Sequence, residues 1–254
     1  MMIDTPLKFE VRLAQTGQDM HAVQRLRYDV FVNELGGDGA EVDHEARLER
    51  DALDAYCDHL MLIDQSRDMV AGVYRLLPPE KAVDAGRYYS DAEYDLSVLR
   101  NSGKRLLELG RSCLHADYRG GTAMHHLWSG LAQYVADRDV DILFGVASFH
   151  GTDIPKIAGA LSLLHQRHLA PTDLRVKALP EAFQSMDLVP EADLDRTAAM
   201  RSIPSLMKAY LRLGGFVGEG AFVDHAFNTT DVCLIMDTAR LSKRQARIYG
   251  GRTS

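Results

Sequence analysis

The chain has 254 residues, 46% of them hydrophobic and 26% charged, and a formal net charge of −7. That is enough apolar content for a sizeable core, and an acidic balance without a basic, aromatic-interleaved stripe argues against a nucleic-acid binder. Cys57, Cys113 and Cys233 are far apart and lack Cys-x-x-Cys or His-x-x-x-His companions, which argues against a disulfide framework or a metal site. With no basic leader followed by an apolar core, and no run near the ~18 apolar residues of a spanning helix, the chain is expected to be cytoplasmic. Any membrane contact would then be peripheral.

Residues 8–14 alternate as a strand, and Asp19 is placed to cap a helix carrying Val23, Leu26, Val30 and Phe31 and ending near Gly36-Gly37. The acidic stretch 38–56 reads as loop and short helix. Residues 59–64 and 69–77 read as two strands joined by a polar turn, with Pro78-Pro79 stopping the second. Residues 80–104 read as loop plus a short helix. Leu106 to Arg138 then runs from an apolar strand through Tyr118-Arg119-Gly120-Gly121-Thr122 into an amphipathic helix, and 141–149 is a continuous apolar strand. Strand, crossover helix and buried strand make a βαβ unit, so those two strands should be parallel neighbours. A helix over 153–168 follows, then a proline-bearing insertion with a helical cap at 170–203, a helix from Ser205 to Leu213, and a hairpin around Asn228-Thr229-Thr230. The expected architecture is an α/β (α+β) domain spanning 1–254, with a mixed, mostly antiparallel sheet and one central parallel pair. A basic tail at 240–254 carries Arg240, Lys243, Arg244, Arg247 and Arg252 and no acid. It is either a solvated tail or a contact for anionic lipid or an acidic partner.

Charges rarely occupy a buried strand without a reason, which singles out Glu108 and Arg111. Side chains three apart on a strand face opposite ways unless a bulge intervenes, and Gly110 would tolerate one. The pair is either catalytic, with Glu108 as a general base, or a buried ion pair serving the fold. The glycine turn after it, at a helix N-terminus, suits an anion. Cys113 is either a nucleophile or, as apolar strands usually have it, part of the core.

Strand, Arg119-Gly120-Gly121-Thr122-Ala123 turn, helix and parallel strand resemble the acyl-donor site of the GNAT acyltransferase superfamily. The turn departs from the usual Gln/Arg-x-x-Gly-x-Gly/Ala. That counts against a coenzyme A pyrophosphate and suits the single phosphate of acyl carrier protein's phosphopantetheine. Leu26-Arg27-Tyr28-Asp29-Val30-Phe31, then Glu49, Asp51 and Asp54 with Asp58-His59-Leu60, Gly72–Pro78 and the Glu108…Arg111 pair resemble acyl-homoserine-lactone synthases. Ile203–Gly215 and Ala226–Val232 resemble ornithine lipid synthases (L-ornithine N-alpha-acyltransferases), a similarity covering most of residues 20–240.

That resemblance implies a GNAT-like acyltransferase moving a (3-hydroxy)fatty acyl group from acyl carrier protein to the α-amine of ornithine in lipid biosynthesis. The product is lyso-ornithine lipid, and no other cofactor is expected. Glu108 would deprotonate the amine through water, and backbone N–H groups near Arg111 and Ser112 would stabilise the thioester oxygen. Asp51, Asp54 and Asp58 would receive the ammonium groups and Arg75 the carboxylate. Arg27, Phe31, Asn228 and Asp231 complete the expected acceptor site, and Arg119, Gly120, Gly121 and Thr122 the donor site. A long acyl product implies peripheral contact with the inner membrane. Glutamine or another amino acid as acceptor, a homoserine-lactone synthase, and a non-catalytic carrier-binding module remain alternatives.

Overall fold

Apolar runs alternating with turn residues give short strands here, and amphipathic runs give the helices that cover them. The computed structural model describes residues 8–39 and 41–240. In chain order these form β1 (Phe9–Leu13), α1 (Gly17–Arg27), a π-helix (Tyr28–Glu34), β2 (Asp58–Asp64), β3 (Met69–Leu77), α2 (Pro79–Ala85), β4 (Tyr94–Asp95), α3 (Ser97–Arg100) and β5 (Leu106–Leu114). They continue with α4 (Ala123–Asp137), β6 (Ile142–His150), α5 (Ile154–His168), β7 (Lys177–Ala178), β8 (Phe183–Gln184), α6 (Arg196–Ser202), α7 (Ser205–Arg212), β9 (Phe216–Val217), β10 (Ala221–Asp224) and β11 (Thr229–Asp237). The described residues fall into two compact units, one of residues 8–85 and 109–139 and the other of 86–108 and 140–240.

In the first unit β1, β2 and β3 form an antiparallel run, and residues 109–114 of β5 lie next to β3. Val23, Leu26 and Val30 pack against Met61, Val73 and Cys113 in one buried cluster. Thr16, not Asp19, is the N-cap of α1. Asp19 sits three residues into the motif and bonds back to the Thr16 N–H, completing a capping box. Helix α4 lies close over β1 because residue 130 is glycine: a Cβ there would fall 2.3 Å from Val11 Cγ1.

The second unit contains the parallel pair, Leu106–Glu108 of β5 beside Ile142–Phe144 of β6. Along its whole length β6 also runs antiparallel to β11, which in turn pairs with β10 and β9. Segment 80–104 is more ordered than a loop with one helix, since it carries most of α2, a 3-10 turn, β4 and α3. The stretch 170–203 holds α6, preceded by the two-residue strands β7 and β8, whose pairing with β4 and β10 no periodicity could signal. The hairpin turn lies earlier than expected, over 225–228, so Thr229 and Thr230 begin β11. Of the basic tail only Arg240 is among the described residues; the rest lies outside them. No helix among the described residues is long and apolar enough to cross a membrane.

Candidate active site

Three arginines from regular elements meet three carboxylates from one loop in the first unit. Arg27 ends α1, Arg75 lies in β3, and Arg111 lies in β5; Glu49, Asp51 and Asp54 come from the stretch before β2. That loop is tied down by the Asp43–Leu48 bridge and by Glu49 N–H donating to Gln24 O at 3.1 Å. Arg27 bonds Glu49, and its Nη1 donates to Asp54 at 2.7 Å. Arg75 Nη1 reaches Asp51 at 2.6 Å and Asp54 at 2.9 Å. Arg111 reaches Glu49 at 3.0 Å and Asp51 at 3.2 Å.

Each carboxylate is therefore shared by two arginines and each arginine by two carboxylates, which closes a six-membered ring of alternating charge. Such a ring compensates the heavy cost of burying charges, and losing one member strands its neighbours. Burial pushes the Asp54 carboxyl up, but Arg27 and Arg75 outweigh it and hold it down at about 2. Asp51 is likewise held below the usual range, with Arg75 and Arg111 overcoming its burial.

This arrangement corrects the expectation for Arg75. It is only 4% exposed and its guanidinium already serves Asp51 and Asp54, so it orients those carboxylates instead of facing solvent. The break in strand geometry also falls on Arg111, at φ 49°, and not on Gly110. A non-glycine residue there costs about 1–3 kcal/mol, here set against two ion pairs. Ser112 is half-buried, and its hydroxyl has no hydrogen-bond partner among the described residues.

Asp51, Asp54 and Asp58 line an open cleft of about 540 Å³ in this unit, together with Gln24, Arg50 and His59. Gln24 donates to Asp54 Oδ2 at 3.1 Å. His59 is buried, which lowers its pKa, and its Nε2 lies 3.1 Å from the Asp54 carbonyl. A neutral ring donating from Nε2 satisfies both facts. Asp58 lies outside the ring and accepts from the Tyr134 hydroxyl at 2.7 Å.

Glu108 belongs to the second unit and is buried. Its carboxylate accepts from Tyr89 N–H and Ser90 N–H, both at 2.7 Å, and from Ser90 Oγ at 2.6 Å. These donors sit on the 3-10 turn Tyr89–Ala92, which carries no periodic signal in the sequence. In the same unit Asp231 is buried in β11 and accepts from Thr229 Oγ1 at 3.1 Å, while Asn228 is an exposed left-handed turn residue.

The glycine turn is exposed in the first unit and anchored from behind. Tyr118, just before it, donates to the buried Asp64 at 2.6 Å. Arg119 donates twice to Leu114 O, at 3.1 and 2.9 Å, and pairs with Glu34 at 2.7 Å. Gly120 adopts φ 78°, which favours glycine; Gly121 has open space around its Cβ position, and no side chain caps α4 at Thr122. Phe31 packs against the apolar cluster instead of facing the cleft. Cys113 belongs to that cluster, where burial pushes its thiol up to about 12, so no thiolate is available as a nucleophile.

A family model described as an acetyltransferase (GNAT) domain matches residues 26–129. The chain is 56% identical to an L-ornithine N(alpha)-acyltransferase of Rhodobacter capsulatus, over 99% of this chain and 98% of that one. It is 39% identical to an enzyme of the same name from Brucella abortus, over 96% and 90%. Among solved structures, a CoA-dependent acyl-homoserine lactone synthase, BjaI, is similar in fold at TM-score 0.55, with 12% identity over 95% of this chain and 88% of that one.

Proposed function

The chain belongs to the family of L-ornithine N(alpha)-acyltransferases, a GNAT-like acyltransferase fold, and on that premise we propose that it transfers a (3-hydroxy)fatty acyl group from acyl carrier protein to the α-amine of ornithine. The observation that carries this reading is the 56% identity, across essentially the whole of both chains, to a relative of that name. The amine nitrogen bonds to the thioester carbonyl carbon, the C–S bond breaks, and the carrier's thiol leaves with a proton. The product is lyso-ornithine lipid, formed in the cytoplasm by a protein in peripheral contact with the membrane that receives the long acyl chain.

At neutral pH the α-amine is an ammonium and must lose a proton before it attacks. Glu108 takes that proton through water, an effect contributing about 10²–10⁴-fold. The acceptor's ammonium groups lie against Asp51, Asp54 and Asp58 in the cleft, where the buried arginines keep two of these carboxylates ionised. Arg50, which lines the cleft, takes over the substrate-carboxylate role first expected of Arg75. The exposed turn at Arg119–Thr122 holds the phosphate of the carrier's arm.

Purified protein is incubated with 3-hydroxyacyl carrier protein and, separately, ornithine, glutamine and other amino acids, and the lipid is identified by mass. Ornithine lipid is expected; a product only with coenzyme A donors, or only with another amino acid, refutes the donor or acceptor assignment. Glu108→Gln should lose amide formation at pH 7 and regain part of it at pH 9–10, where free amine accumulates. A loss of equal size at every pH, reproduced by Ser90→Ala, would make Glu108 an anchor for the Tyr89–Ser90 loop.

A further inference from the structure

We propose that Glu34 sets how tightly the donor's phosphate is held, by acting as the resident counter-ion of Arg119. The inference rests on the donor-turn reading. Glu34 is the last residue of the π-helix, and its carboxylate lies 2.7 Å from Arg119 Nη1, with side-chain exposures of 35% and 45%. A guanidinium has five N–H donors. Leu114 O occupies two, and the ion pair with Glu34 engages Nη1, which leaves donors for a ligand at an exposed position beside Gly120.

Glu34 does two opposing things to an incoming phosphate. Its ion pair helps to hold the guanidinium still, and its charge repels the anion. The first effect is largely redundant, because Nε and Nη2 are already fixed on the Leu114 carbonyl. The second has no substitute. At a separation of about 6 Å in a water-like medium, one carboxylate opposing the single charge of a phosphodiester weakens its binding about twofold to threefold, less as salt rises. A free phosphate monoester, with close to two charges, should feel about threefold to tenfold. Repulsion therefore wins. The exposed Arg119–Glu34 pair is weak and readily exchanged, so the carboxylate returns as the spent carrier leaves.

Glu34→Gln isolates the charge, since the amide keeps the size and shape of the carboxylate. Steady-state KM for 3-hydroxyacyl carrier protein is measured for the wild type, Glu34→Gln, Arg119→Ala and the double variant. Inhibition by 4′-phosphopantetheine and by unphosphorylated pantetheine is measured beside it. Glu34→Gln should lower the carrier KM about twofold to threefold and tighten phosphopantetheine inhibition by more. It should leave pantetheine inhibition and the ornithine KM unchanged, and lose its effect at 0.5 M salt. Arg119→Ala should raise the carrier KM, and adding Glu34→Gln to it should recover part of the rise, because the repulsion acts on the phosphate directly. If Arg119→Ala raises the KM but Glu34→Gln leaves it unchanged or raises it, the counter-ion role is overturned and the donor turn stands. If Arg119→Ala leaves the KM unchanged, the donor-turn reading falls and the role of Glu34 with it.

Discussion

Replacing Asp54 with asparagine removes one charge from the six-membered ring while keeping its shape, and the consequence can be worked out from the protonation equilibrium. Burial raises the Asp54 carboxyl, but Arg27 and Arg75 bring it from 3.8 down to about 2. A depressed carboxyl contributes stability that is fully present above its unfolded pKa and is lost as pH falls through the folded value. At about 1.36 kcal/mol per pH unit, the charge contributes about 2–3 kcal/mol at pH 7, about half of that at pH 3 and little at pH 2. Asp54→Asn should therefore cost about 2–3 kcal/mol at neutral pH, or about 5–10 °C in melting temperature. The gap to the wild type should roughly halve by pH 3. The only tryptophan, Trp128, lies in the unit that holds the ring, so its fluorescence during urea unfolding reports on the right part of the chain. A penalty that is equal at pH 3 and pH 7, or below about 1 kcal/mol at pH 7, would refute the electrostatic account and point to packing.

Gly130→Ala should destabilise the protein by about 1–3 kcal/mol, since its Cβ would fall 2.3 Å from Val11 Cγ1. Adding Val11→Ala should recover part of that loss, and a thermal melt of the two variants checks it. Under native conditions at pH 8 a disulfide-exchange reagent should titrate Cys57 alone. Cys113 and Cys233 are buried and their thiols are pushed far up, whereas Cys57 is partly exposed. Native reaction of a second thiol would contradict that burial.

What could be read in advance follows from the range of the interaction. Periodicity within about ten residues exposes β2, β3, β5, α4 and β6, and the βαβ crossover makes β5 and β6 parallel neighbours. Glu108 and Arg111 stood out because charge inside an apolar strand is costly whatever surrounds it. Their pairings did not stand out: Arg111 meets Glu49 across 62 positions, and Glu108 meets Ser90 across 18. Pairing at that distance is set by how loops close, which no local pattern encodes. Arg75 shows the cost of the gap. A lone arginine on a strand reads as a ligand for an anion, and only the positions of Asp51 and Asp54 reveal that the anions it serves are the protein's own.

The π-helix at Tyr28–Glu34 separates the surroundings of two charges seven residues apart. In an α-helix, positions i and i+7 lie on nearly the same face. Here Leu35 N–H bonds Val30 O, five residues back, and the wider winding turns the later residues away from that face. Arg27 is sealed among carboxylates, while Glu34 reaches the surface and Arg119. A chain one residue shorter between them would wind as an ordinary helix and set the two charges in a different phase. The extra residue thus works as a phase shifter, letting one continuous rod serve the buried ring at its start and the solvent-facing turn at its end.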